Sequence, residues 1–160
     1  MHGYAPFFPF HRQFVRDWEV TLQRIANDSS IYQPYWDWTI DLGNPQASPI
    51  FNPDWLGGNS YGNCTTIPLL DGIQWRFWKP PYNVERHCLA RNFDRGLMNA
   101  YYSRAALLTM FAESASYPEF HTAIEGGPNN IVHASIGGDM ANWASCVRST
   151  TEQSVFLFQV

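Results

Sequence analysis

Phe14, Val15, Trp18, Leu22 and Ile25 recur at helical spacing, with Arg16, Asp17 and Gln23 between them. That pattern predicts one amphipathic helix ending near Asn27. Leu97, Tyr101, Ala105, Leu108 and Ala112 mark a second helix, and a shorter one is expected over Pro118 to Ile124. A further helix is predicted to start at Pro128, since a first turn does not use the N–H that proline lacks. Ile131, Val132 and Ile136 give it an apolar face, and Gly137-Gly138 ends it. Between these blocks, residues 42 to 92 contain Pro45, Pro49, Pro53, Pro68, Pro80, Pro81 and Gly57-Gly58, which rules out a long regular element. The expected class is mainly α, with a long irregular central segment and no internal repeat.

Composition narrows the function classes. A chain of 160 residues, 45% hydrophobic and 16% aromatic, suffices for one domain with a real core. Its net charge of -4 argues against a nucleic-acid partner, which requires a concentrated basic surface. No apolar run approaches the roughly 20 residues of a membrane-spanning helix, so no membrane partner is expected. Cys64, Cys88 and Cys146 permit one disulfide and one free thiol; Cys64 with Cys88 is the favoured pair in an oxidising compartment. Asn27-Asp28-Ser29 and Asn63-Cys64-Thr65 fit the glycosylation acceptor pattern and lean towards secretion. The start of the chain lacks the basic and apolar regions of a signal peptide.

Candidate chemistry lies in three blocks. MHGYAPFFPFHR places His2 and His11 around a proline-containing hinge that runs into the first helix, and imidazole is a common ligand for copper and zinc. Pro34, Tyr35, Trp36, Asp37 and Trp38 follow. Pro128, Asn129, Asn130, Ile131, Val132 and His133, with Gly137-Gly138 beyond, form the third block. In this order the blocks resemble the tyrosinase family of type 3 copper proteins over nearly the whole chain.

The resemblance implies a four-helix-bundle core whose helix pairs hold two copper ions, three histidines to each, for the oxidation of small phenols or diphenols by oxygen. His2 and His11 match the second and third ligands of the first copper, and His133 matches the second ligand of the second copper. Asn129 stands where that site's first histidine is expected. Gln153 to Val160 stand where its third should follow. Residues 1–41 then correspond to the first copper site, 42–92 to the connection and 93–160 to the second site, with the core expected to be incomplete at both ends. Glu125 and Asn130 match the carboxylate and amide that orient a water as the base for phenol deprotonation; a helix-end carboxylate and a cap are the plain alternatives. His121 and His87 are expected to be ordinary core, surface or loop residues, Arg12 and Glu19 structural, and Trp36 and Trp38 core aromatics.

Two function classes follow: a tyrosinase-like copper oxidoreductase, or a non-catalytic scaffold or binding remnant with weak single-metal binding or none. Three histidines at six ligand positions favour the family label with little activity in this chain. Its exposed helix faces suit self-association.

Overall fold

A computed structural model describes residues 2–65, 75–79 and 83–142; Cys146 and the expectation for Gln153 to Val160 lie outside them. Helix α1 spans Phe7–Ala26, starting seven residues before the apolar periodicity does. Pro9 is compatible with this earlier start because it falls in the first turn, where backbone N–H groups have no intrahelical partner. Asn27 closes α1 in the left-handed region at φ 52°. Asp28 N–H donates back to Gln23 O at 3.0 Å, completing a C-terminal cap. The chain then returns along α1, tied by Gln23 Nε2 to Ile31 O at 2.6 Å and by Gln33 N–H to Glu19 Oε2 at 2.9 Å.

The aromatic block anchors the core. Trp36 and Trp38 are buried with Phe51, Met98, Tyr101, Val132, Ile136 and Met140. Each indole N–H is satisfied, by Asp41 Oδ2 at 2.7 Å and by Tyr102 O at 3.1 Å respectively. Asp37 caps the 3₁₀ turn Trp38–Ile40 through Thr39 N and Oγ1. Two further 3₁₀ turns, Pro45–Ala47 and Pro49–Phe51, carry the chain on. The central segment also contains the antiparallel pair β1 (Trp75–Lys79) and β2 (Asn83–His87), short enough to coexist with its prolines. Cys64 and Cys88 are disulfide-bonded, as favoured above. Arg91, almost fully buried, donates to the carbonyls of Leu56 and Gly57 and lies over the Phe51 ring.

The helix expected over Leu97 to Ala112 is instead two, α2 (Arg95–Met98) and α3 (Arg104–Glu113). Apolar spacing alone hides the break. Asp94 and Ser103 each accept from a backbone N–H three residues on, so two N-caps compete within one periodic stretch. Tyr101, between the helices, enters the core while Leu108 in α3 is 61% exposed.

Helix α4 (Tyr117–Ile124) forms as expected, capped by Ser116. Pro128 does not open a new helix. It lies inside a π-helical turn, Glu125–Asn129, that joins α4 to α5 (Asn130–Ile136) without interruption. A proline within a helix removes one backbone bond and crowds the preceding turn, and a widened turn accommodates both effects. Gly127 belongs to that turn because Tyr102 packs against it; a Cβ there would lie 2.8 Å from the Tyr102 hydroxyl.

Gly137 and Gly138 end α5, followed by α6 (Asp139–Asn142). The extended segment Ala90 to Asp94 clasps this end of α5. Asn92 N–H donates to Ile136 O at 3.0 Å, Asp94 N–H to Ser135 O at 2.8 Å, and Asp139 N–H to Ala90 O at 3.0 Å. Asp139 Oδ2 accepts from Ala90 N at 2.7 Å. The approach needs glycine: φ is +66° at Gly137, and a Cβ there would sit 2.0 Å from Asn92 O. Gly137→Ala should therefore lower unfolding free energy by roughly 2–4 kcal/mol in urea denaturation. A loss under 1 kcal/mol would mean the clasp yields easily.

Candidate functional site

The first turn of α1 and the residues before it form one side of the site. His11 Nδ1–H donates to Phe7 O, one turn back, at 2.7 Å. A carbonyl can only accept, so the His11 lone pair resides on Nε2. Gly3, at φ +74°, turns the chain before α1, and its N–H donates to Glu125 Oε1 at 2.7 Å. The same oxygen lies 3.1 Å from His2 Nδ1, which places that proton on Nδ1 and the lone pair on Nε2. His2 Nε2 is buried without a hydrogen-bond partner among the described residues.

Phe7 is the wedge among the rings. Its centroid is 5.1 Å from His2, 4.6 Å from His11 and 5.5 Å from His121, while the His2 and His11 rings are 4.9 Å apart. Tyr117 Oη–H, from α4, donates to Ala5 O at 2.6 Å and holds this segment against α4.

The other side comes from α4, the π turn and α5. Glu125 is largely buried and binds Gly3 and His2 through Oε1; its Oε2 lies 2.7 Å from His121 Nε2. That last contact is off the line of an ideal ring N–H bond, so His121 Nε2 counts as close to the carboxylate without full hydrogen-bond geometry. His133, one turn into α5, and Asn129 line the same cavity of about 970 Å³ as His2 and His11. Phe8, Arg12, Arg16, Glu19 and Tyr117 complete much of the wall. Glu19 pairs with Arg16.

All three imidazoles are held neutral. Burial lowers the pKa of His2 to about 4, and neighbouring His11 adds to the effect. Burial also lowers His133 to about 4, followed by the fields of His2 and His11, and lowers His11. Neutral rings are the form in which histidine binds a metal, and at His2 and His11 the Nδ1 atoms are engaged as well.

The sequence profile of the common central domain of tyrosinase matches residues 1–148. The chain belongs to the tyrosinase family. It is 34% identical to a tyrosinase of Streptomyces galbus over 88% of this chain and 54% of that protein. It is 28% identical to the oxidase hkm6 of Aspergillus hancockii over 88% of this chain and 65% of that protein. A polyphenol oxidase of Thermothelomyces thermophila (mutant G292N) has the same fold, at a TM-score of 0.72 and 23% identity, covering 87% of this chain and 48% of the other. The chain thus spans about half the length of the relatives it matches.

Against that family, the residues fit copper in part. His2, His11 and His133 reach one cavity, and the chemistry of the neutral rings suits the metal. Of the five histidines in this sequence, however, only these three line the cavity among the described residues. Among the described residues, no group of three or more His, Cys, Asp or Glu side chains is arranged to hold an ion. Asn129 offers an amide. His87 lies in β2, and Asn130 is exposed at the start of α5, outside the cavity lining.

His121, expected as an ordinary core or surface residue, is buried and has Glu125 as its neighbour at i+4, a spacing that brings helical side chains together. Phe7→Ala should cost about 3 kcal/mol of stability, because it empties the space between three rings. Phe10→Ala, from a more exposed position, should cost under half as much. Equal losses in parallel urea titrations would remove Phe7 from its role as wedge.

Proposed function

We propose that this chain forms the core of a tyrosinase-type copper oxidoreductase acting on small phenolic compounds, and that the 160-residue chain alone has negligible oxidase activity. In this reading residues 1–41 supply one copper position through His2 and His11, residues 42–92 connect, and residues 93–160 supply the other through His133. The observation that carries it is the pairing of His2 with His11: two rings 4.9 Å apart, each with Nδ1 engaged, at a cavity that also contains His133. Copper, when bound, would supply dioxygen activation for oxidation of the phenol. His2 and His11 would hold one ion; Phe8 and Tyr117 provide aromatic wall for a phenol ring. Glu125, which holds His2, is assigned the orientation of a water that takes the phenol proton; Asn130, exposed and outside the cavity lining, keeps the plain role of a helix-start residue.

Ligand number sets the limit on this chain's activity. Metal affinity depends on how many donors are present and how firmly they are held, and the second position has one histidine beside an amide. A non-catalytic scaffold is therefore the second reading, supported by Asn129.

Calorimetric titration with copper should give no tight binding of two ions per chain, and oxygen uptake with a diphenol should stay at background. Asn129→His should tighten binding at the second position by at least ~10-fold, or about 1.4 kcal/mol. Two tightly bound ions in the unaltered chain, with diphenol turnover abolished by His133→Ala, would defeat the proposal.

Self-association is the expected fate of the uncovered faces. Trp18, Val20, Leu22 and Ile25 on α1, with Leu108 and Phe111 on α3, are all exposed. Sedimentation equilibrium should show a reversible dimer or larger species that weakens when Ile25 and Phe111 are changed to serine; an ideal monomer at every concentration tested rules this out.

A further inference from the structure

We propose that His121 is a positioning residue: through Glu125 it fixes the ring orientation and proton position of His2. This rests on the reading of His2 as a metal ligand only for its consequence for copper; the coupling itself belongs to the metal-free chain.

The chain of contacts is short and buried. His121 is 5% exposed, on α4, enclosed by Phe7, Phe8 and Tyr117. Its Nε2 lies 2.7 Å from Glu125 Oε2. The opposite oxygen of that carboxylate accepts Gly3 N–H at 2.7 Å and lies 3.1 Å from His2 Nδ1. A carboxylate held at one oxygen only can rotate about its terminal bond, which has broad torsional freedom. One held at both oxygens presents a fixed acceptor. The close approach of His121 Nε2 to Oε2, off the line of an ideal N–H bond, is thus what keeps Oε1 aimed at His2, and Oε1 in turn keeps the His2 proton on Nδ1 and the lone pair on Nε2. Groups one bond removed from a metal-ligating histidine commonly set its tautomer and alter metal affinity 10–100-fold.

Several features favour this over simple packing. Phenylalanine or leucine would fill an aromatic pocket without introducing a ring nitrogen beside a carboxylate. A histidine nitrogen 2.7 Å from a carboxylate oxygen carries its proton there rather than its lone pair, since two acceptors at that distance repel, even with the N–H off the line of an ideal bond. The i,i+4 spacing places the pair on one helical face immediately before the π turn.

The test uses the metal-free chain and long-range proton–nitrogen NMR of the imidazole rings. In the unaltered protein His121 should carry its proton on Nε2 and His2 on Nδ1. His121→Phe, which preserves ring packing, should leave His2 a mixture of tautomers and weaken copper(I) binding at least 10-fold in a competition titration. His121→Gln, whose amide can donate to Oε2, should restore both. Finding His121 protonated on Nδ1 alone in the unaltered protein overturns the proposal without any variant, whether or not His121→Phe folds. So does a folded His121→Phe with an unchanged His2 tautomer. If the tautomers follow the expected pattern and the unaltered chain binds no copper, the metal assignment fails and the positioning role stands.

Discussion

The structure depends on the backbone clasp between residues 90–94 and the end of α5. Reciprocal bonds between Ala90 and Asp139, together with those from Asn92 and Asp94, attach an otherwise irregular segment to the helix that carries His133. The disulfide at Cys88 and the buried guanidinium of Arg91 extend the attachment into the central loops. Irregular backbone is therefore what orients α5. Burial of Trp36, Trp38, Val132 and Ile136 supplies much of the driving force, but it is non-directional. The hydrogen bonds on either side of Gly137-Gly138, at Ser135, Ile136 and Asp139, select one rotation of α5 from those that would bury the same side chains.

The opposite wall is assembled by a different logic. Few backbone bonds join the N-terminal segment to α4; Gly3 and Ala5 are held by side chains, Glu125 and Tyr117. Aromatic contacts fill the rest, including Phe8 stacked on Phe120 at 5.3 Å. The result brings residues from opposite ends of the described chain, His2 and His133, to one cavity. Desolvation there keeps the rings neutral, so the packing that builds the cavity also prepares its nitrogens to act as donors.

Much of this was legible in the sequence for identifiable reasons. The tryptophan block and the glycine pair are local signals with single physical meanings, and both lie where expected. The cysteine pairing followed from two residues in one loop-rich region. The break between α2 and α3 was not legible, because Tyr101 and Leu97 keep helical spacing while capping residues stop the helix. Pro128 misled in the opposite sense: it usually opens a helix, and here it sits within a widened turn. His121 reads as an ordinary histidine in the sequence, because its neighbour is a carboxylate one turn away and nothing local marks the pair.

The widened turn gives the site a phase. Successive residues of an α-helix are rotated by ~100° about the axis, so α4 and α5 are set relative to one another by the number of residues in Glu125–Asn129. Loss of a single residue there would turn everything downstream by about that angle. His133 would leave the cavity while every side chain on either side stayed chemically intact. The alignment of the two walls is therefore encoded as a count of residues, and a one-residue deletion in this turn is a kind of damage that no substitution within it would reproduce.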